Sequence, residues 1–385
     1  GKWYRFSTTV FALGFTYLFL LIKAYYLNHG YLFCLLSFAM IFLPANRAFS
    51  LDVVRHPKLA RSTIPFWPLF LLRFMMGLVY FYGGIAKINF DWLQAMPLKT
   101  WLQAKAGMPL LGPLWRQEWV AYGMSYGGLL LDLLAPFLLS YRSSRKIIFA
   151  FILFFHFTNF ILFKIGIFPF LSIALSLLFF PPDFPRRVIR WAIGHLNKLE
   201  DRLPKVYQLL LRAAEPPTLT QQAIPIAPRK KVLIRNLLLL FCSIQLLLPL
   251  RHHYFPGPVA WTEEGHRYSW RMMLRDKNGY GYFEVRGTKT DEYVKVKPTV
   301  YLNKRQKRKL YTHPDMILQF AHFLRDEYQA KWQEEVEVYA QIKVRLNGRK
   351  YQRYIDPGKN LAKVEWSFWQ PSEWIEPMKA SELPR

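Results

Sequence analysis

Apolar residues run in long blocks through the first 250 positions of this 385-residue chain and alternate with charged residues thereafter. A helix that crosses a bilayer needs about 20 mostly apolar residues. The blocks at 7–26, 31–46, 66–88, 119–140, 146–163, 165–181 and 232–250 meet or approach that length. The second and sixth are short, which implies tilt, re-entry or cover by neighbours. Asn28-His29-Gly30 is expected to make a tight turn between the first two blocks, and Pro181-Pro182 to close the sixth. Residues 92–118 carry Pro97, Pro109 and Pro113 among Trp92, Trp101 and Trp115, which suits a loop at the headgroup level.

Segment 186–212 mixes Arg186, Arg187 and Arg190 with Trp191, Ile193, Leu196 and Leu199 at helical spacing, an amphipathic helix for a membrane surface. Residues 215–231 hold Pro216, Pro217, Pro225 and Pro228 and read as a linker. Beyond 250 the pattern changes. Strand-like runs at Gly279–Arg286 and Tyr293–Tyr301 flank a turn at Gly287–Thr290. Thr312-His313-Pro314-Asp315 predicts a helix start with Thr312 as cap, running to about Trp332. Val336, Val338, Ala340, Ile342, Val344 and Leu346 alternate with polar residues, giving a strand with one buried face. Asn347-Gly348 then predicts a hairpin with Arg349–Ile355 returning.

The architecture expected is a multipass α-helical membrane domain followed by a smaller α+β soluble domain. Its parts are a helix bundle at 1–185, the surface helix and linker at 186–231, a last span at 232–250 and the soluble domain at 251–385. The chain opens on Gly1-Lys2-Trp3, without Met and directly before an apolar block, and is read as a fragment lacking its N-terminal part. Cys34 and Cys242 both sit in apolar blocks, so no disulfide framework is expected. The net charge of +27 would suit nucleic acid in a soluble protein. Here the basic residues gather at the ends of apolar blocks and in the soluble domain. Anionic lipid and an acidic substrate are the better partners, and nucleic acid is set aside. No zinc-ligand pattern is present, and no metal is expected.

Lys87 is the first candidate for chemistry. It lies near the end of an apolar block, in Gly83-Gly84-Ile85-Ala86-Lys87. An amine there must be paired, hydrated or neutral, and a neutral lysine is a base at ordinary pH. The bland alternative is a snorkelling lysine paired with Asp91, one turn later. Gly83-Gly84 permits close helix approach. Asp132 is a second ionisable group inside an apolar block; Lys87, an arginine or nothing would offset it. His156 and Asn159 share a helix face in an aromatic span, for a cavity or for an interhelical hydrogen bond. Asn46-Arg47 closes the second span. His252 and His253 follow the last one. Tyr268-Ser269-Trp270 gives an aromatic patch that is either core or a pocket wall.

Taken together, these stretches resemble vitamin K-dependent gamma-carboxylase and its bacterial relatives. The matching pieces are Asn28-His29-Gly30-Tyr31-Leu32, Ala45-Asn46, Val79-Tyr80-Phe81 with Lys87 and Asp91-Trp92, and Gly127-Gly128-Leu129-Leu130-Leu131-Asp132-Leu133. They continue through Phe155-His156 with Asn159, Ile165-Gly166-Ile167-Phe168, Pro182 with Pro185-Arg186, Tyr268-Ser269-Trp270 with Met272-Met273, and Trp366, Gln370 and Trp374. The likeness covers nearly the whole chain in order; the ordered set, not any one piece, is specific.

The resemblance implies a lyase-type chemistry. Reduced vitamin K, of menaquinone or phylloquinone type, is deprotonated by an enzyme base and reacts with O2. The product is a base strong enough to take a γ-proton from a glutamate of a protein substrate, and CO2 adds there. The quinone leaves as its epoxide. Lys87 matches the family's base. Asn46, Tyr80, His156 and Asn159 match residues around the quinone, and His252 a histidine near the soluble domain; Tyr268 and Trp270 fall where substrate is expected to bind. Arg47 stands where the eukaryotic enzymes carry histidine, and would instead hold an anionic quinone oxygen or a carboxylate. His266 and Arg275 replace a tyrosine and a histidine. These departures favour a bacterial inner-membrane relative with a periplasmic soluble domain. The alternatives are a quinone epoxidase that has lost carboxylation, and a non-catalytic lipid-binding or transport module.

Overall fold

The computed structural model describes residues 2–48, 50–163, 165–195, 203–214 and 226–379. Lys164, Leu196, Leu199 and the proline-rich 215–225 lie outside the described residues. The apolar blocks form helices α1 (Tyr4–Leu21), α2 (Asn28–Phe42), α3 (Trp67–Lys87), α4 (Glu118–Ser140), α5 (Arg145–Leu162), α6 (Phe168–Leu177) and α9 (Pro228–Leu247). Five of the described helices are long and apolar enough to cross a membrane: α1, α3, α4, α5 and α9 with its 3₁₀ continuation to Tyr254. Large apolar side chains such as Phe11, Leu18, Phe154, Leu237 and Leu240 are exposed on them, which water would oppose and lipid accepts. The protein is an integral membrane protein.

Several local expectations shift. Asn28-His29-Gly30 is the first turn of α2, not a turn before it; the connection is a 3₁₀ turn at Lys23–Tyr25. Gly30 sits against the Phe19 ring, so its missing side chain serves packing. The proline- and tryptophan-rich stretch contains short helices at Phe90–Leu93, capped by the Asn89 side chain, at Leu98–Gln103, directly after Pro97, and at Gly112–Trp115, where Pro113 in the first turn loses no hydrogen bond. Among the described residues the amphipathic segment forms α7 (Phe184–His195), and α8 (Pro204–Ala214) packs on it.

Contacts divide the chain into two compact units. The first holds Gly1–Leu20, His29–Phe81 and Leu134–Ile244; the second holds Leu21–Asn28, Tyr82–Leu133 and Gln245–Arg385. Within the first, α6 packs on α5. Asp52 is buried and accepts the Trp3 N–H at 2.7 Å, the Tyr4 N–H at 3.0 Å and the Asn46 amide at 3.0 Å, which ties the start of α1 to the loop after α2.

The second unit contains a four-stranded antiparallel sheet in the order β2-β1-β3-β4. Strand β1 (Lys277–Gly287) pairs along its length with β3 (Val336–Leu346), from Lys277 opposite Leu346 to Gly287 opposite Val336. Helix α10 (Pro314–Trp332) covers one face. Phe283, Val285, Val338, Ala340 and Ile342 meet Ile317, Leu318, Ala321 and Leu324 in a common core. The alternation read in β3 is the buried face found there, because a strand sends successive side chains to opposite faces. Asn347 and Gly348 both take positive φ, as a two-residue hairpin turn requires. Three boundaries move. Strand β2 (Tyr293–Val296) stops short of Tyr301, where Pro298 opens a 3₁₀ turn. The cap of α10 is His313 rather than Thr312, which leaves Pro314 at the first helical position. The return strand β4 is reduced to Gln352–Arg353.

Gly281 marks the tightest approach in this sheet. A Cβ there would lie 2.2 Å from the Gln341 carbonyl oxygen and 2.9 Å from Ile342 Cα, both backbone atoms. Gly281→Ala is therefore expected to cost about 1–3 kcal/mol, read as a lowered melting temperature of the full chain in detergent.

Candidate active site

The base expected at Lys87 has a partner in the same unit. Its Nζ lies 2.5 Å from Asp132 Oδ2 and donates to the Gly83 carbonyl at 3.2 Å. Both residues are buried. The pairing with Asp91 expected as the bland alternative does not form. Asp91 instead takes Arg349 Nη2 at 2.5 Å and the Asn347 amide at 2.6 Å, anchoring the β3–β4 hairpin. Two glycines make the pair possible. A Cβ on Gly84 would fall 2.7 Å from the Leu133 backbone nitrogen, and one on Gly83 3.2 Å from Asp132 Oδ2. Trp92 closes the other side, with its ring 5.3 Å from Lys87 Nζ. It is fixed by donating from Nε1 to the Ser125 carbonyl at 2.9 Å, while the Ser125 hydroxyl donates to the Trp92 carbonyl at 2.5 Å.

The first unit brings together Tyr80 and His156. The Tyr80 hydroxyl lies 2.9 Å from His156 Nε2 and 3.4 Å from Ser176 Oγ, and Ser176 donates to the Ser172 carbonyl at 2.7 Å. All four residues are buried. The Ser172 hydroxyl has no hydrogen-bond partner among the described residues, an orphan in apolar surroundings. Phe168 packs edge-on to His156 and stacks on His29. Tyr80 and Lys87 both lie on α3, seven residues or about two turns apart.

The other expected residues are placed differently. Asn46 donates to Asp52, and Arg47 Nη1 donates to the Leu59 carbonyl at 3.3 Å; neither bonds to the Tyr80 cluster. Asn159 is half-buried, and its backbone carbonyl receives the Phe163 N–H that ends α5. In the second unit, His252 stacks on His253 and its Nδ1 lies 2.7 Å from the Pro249 carbonyl. The Tyr268 backbone N–H donates to the Tyr26 hydroxyl at 2.8 Å. Trp270 is fully buried. Glu263, Tyr268, Trp270 and Met273 all have φ between 54° and 65°. Left-handed backbone at so many non-glycine residues is costly and has to be held by the surrounding packing.

Sequence reading missed a polar cluster around this segment. Glu263, His266 and His313 place one ligand-type atom each within 4.8 Å of one another. The donor set alone would suit a cation, but the space is already claimed. Arg275 Nη2 lies 2.5 Å from Glu263 Oε2 and 3.1 Å from His266 Nε2, and Lys277 Nζ is 3.2 Å from Glu263 Oε1. Lys277 also donates to the Trp261 carbonyl and lies 2.9 Å from the Tyr354 hydroxyl. Burial, opposed by Glu263, brings the Lys277 amine down to about 7. Burial, with Arg275 and Lys309 nearby, holds both His266 and His313 well below the usual histidine range. The one-turn spacing of Glu263 and His266 was visible; the approach of His313 depends on the fold.

Three outcomes follow. Lys87→Ala or Asp132→Ala alone leaves a buried charge unpaired and is expected to lower stability by about 3–5 kcal/mol, whereas Lys87→Met with Asp132→Leu recovers much of it; thermal melts of the three proteins decide. Gly84→Ala, by pushing Leu133 away, is expected to lower stability by about 1–3 kcal/mol in the same assay. The unfolded chain protonates His266 and His313 below about pH 6.5 and the folded one does not, so stability falls as pH drops through that range; Lys277 adds stability as pH rises above about 7. A melt series against pH checks the sign, and His266→Gln flattens the acid limb.

Residues 1–184 match the HTTM domain, and residues 230–381 match the lumenal domain of vitamin K-dependent gamma-carboxylase. No solved structure gives a significant match. The two matches cover most of the chain in the order that the helical and sheet-containing regions follow. The chain belongs to the vitamin K-dependent gamma-carboxylase family.

Proposed function

We propose that this protein is a membrane carboxylase that couples oxidation of reduced vitamin K by O2 to carboxylation of glutamate in a protein substrate. The observation that carries the reading is the buried Lys87–Asp132 pair. An amine held in apolar surroundings by one carboxyl group is placed for chemistry inside the bundle, not for solvation in a headgroup layer. When Lys87 takes a proton, Asp132 supplies the countercharge at hydrogen-bond distance. Trp92 and the close-packed glycines keep water from that proton. Reduced vitamin K supplies the oxidisable ring whose reaction with O2 generates the strong base needed for γ-proton removal.

The residues of the first unit fit a quinone head. Tyr80, His156 and Ser176 offer hydroxyl and imidazole hydrogen-bonding groups inside an apolar bundle, and the unpartnered Ser172 hydroxyl offers another. Phe168 and the surrounding aromatic side chains would hold the ring plane. His252, Tyr268 and Trp270 would hold substrate in the soluble domain. That domain would face the periplasm of a bacterial inner membrane.

The test uses the chain in nanodiscs with vitamin K hydroquinone, O2, labelled bicarbonate and a glutamate-rich peptide. Wild type is expected to form epoxide and labelled peptide. Lys87→Ala is expected to lose both by at least about 100-fold, and Tyr80→Phe to lower epoxide formation by about 10-fold or more. Asp132→Asn is expected to retain the fold better than Asp132→Ala yet lose most turnover. Epoxide without label would move the reading to a quinol epoxidase. No epoxide from wild type across several quinols would overturn it.

A further inference from the structure

Two arginines of the first unit have no part in the chemistry proposed above. Arg73 lies in the second turn of α3, and Arg145 is the first residue of α5. Both are half-buried. Each is tethered to carbonyls where a neighbouring helix ends. Arg73 Nε donates to the Leu178 carbonyl, just past the end of α6, at 2.8 Å. Arg145 Nε donates to the Leu139 carbonyl at 2.7 Å and its Nη2 to the Ser140 carbonyl at 3.0 Å, both in the last turn of α4. The buried rings of Phe179 and Phe180 stand 5.6 Å from Arg73 Cζ and 6.0 Å from Arg145 Cζ, respectively. One dipeptide thus lies against both cations, and the two charges act on each other through space.

Carbonyls place these cations but do not neutralise them. Neither arginine has a carboxylate partner among the described residues. Both Nη atoms of Arg73 and Nη1 of Arg145 make no hydrogen bond there either. Asp183, three residues after Phe180, is taken by Arg187 at 3.0 Å. The surroundings add cations: Arg142 and Lys146 flank Arg145 and are exposed, and α7, joined to Phe180 through the Phe184 ring at 4.3 Å, carries the exposed Arg190. A bundle end with such an excess of arginine and lysine suits an anionic leaflet. Trp67 at the start of α3 marks the headgroup level. Arg73 lies six residues, about 9 Å, deeper along the axis, a depth from which an arginine reaches back to the phosphates. Two like charges against one pair of rings repel unless an anion lies between them.

We propose that Arg73 and Arg145 form one binding site for the phosphate of an anionic glycerophospholipid, whose acyl chains lie along the exposed apolar surface of α3 and α5. A phosphodiester offers two unesterified oxygens that the remaining Nη groups of two arginines share. A zwitterionic headgroup brings the same phosphate but carries an amine cation into a field already of one sign. Free inorganic phosphate has the anion without the chains. Phe70, one turn before Arg73, and Ile147 and Phe151 on α5 are exposed for those chains. The site does not depend on the carboxylase reading.

The experiment titrates the full chain in detergent with dioleoylphosphatidylglycerol or dioleoylphosphatidylcholine and counts bound lipid by native mass spectrometry. Wild type is expected to bind its first phosphatidylglycerol at least about tenfold tighter than its first phosphatidylcholine. Arg73→Met and Arg145→Met are each expected to remove most of that preference. The double variant is expected to remove little more, because two arginines serving one phosphate do not act additively. Arg73→Lys and Arg145→Lys, which keep charge but not the fork, are expected to keep an intermediate preference. Arg190→Met, which removes an exposed cation of α7, is expected to bind as wild type does. Melting curves without lipid report whether each variant is folded, and the lysine variants carry the test if the methionine ones are not. Arginines that only cap helix ends would give variants that melt lower yet keep the full lipid preference, which overturns the proposal. So does a wild type without preference, or an Arg190→Met that loses as much as Arg73→Met. Displacement of phosphatidylglycerol by excess inorganic phosphate overturns the lipid as ligand and leaves a site for the free anion.

Discussion

An amine and a carboxyl group buried in apolar helices constrain everything packed around them. A charge of either sign at bilayer depth costs at least about 2.5–3.5 kcal/mol when left alone. Lys87 on α3 and Asp132 on α4 remove that cost only by meeting. Meeting requires the helices to touch, and Gly84 against the Leu133 backbone is how they do so. The register between the two helices is therefore set by one ion pair and one missing side chain. Trp92, locked to Ser125 from both ends, then covers the pair.

The Tyr80 cluster follows the same logic without formal charge. Hydroxyl and imidazole groups are tolerated in an aromatic bundle because each finds a partner: Tyr80 with His156, Ser176 with the Ser172 carbonyl. The Ser172 hydroxyl is the exception. A polar atom left over in such a place is a cost to the fold, and it is the kind of cost that a bound polar head relieves.

In the sheet-containing domain the balance runs the other way. Arg275 and Lys277 share one carboxylate there, that of Glu263. Burial answers the rest by keeping histidines and Lys277 from their usual protonation. Glu263, Tyr268, Trp270 and Met273 are held in left-handed backbone within this network.

Much of this was written in the chain as pattern. Block length gave the membrane helices, because a bilayer sets their length whatever their neighbours are. Alternation gave β3, and Asn347-Gly348 its hairpin, because both are local stereochemistry. The ordered motifs gave the family, and the two domain matches agree. Partners were a different matter. Sequence offered Asp91 to Lys87 as its nearest acid, and left Asp132 without a definite mate. Tertiary structure gave Asp91 to Arg349 and Asp132 to Lys87. Likewise His313 joins Glu263 and His266, and Phe368 joins Arg251, across gaps that no periodicity spans. Even the helix cap moved from Thr312 to His313 once Pro314 took the first turn. Short-range geometry is fixed by neighbouring residues and can be read in order; a buried charge is satisfied by whatever the fold brings within about 4 Å, and that distance carries no trace of sequence separation.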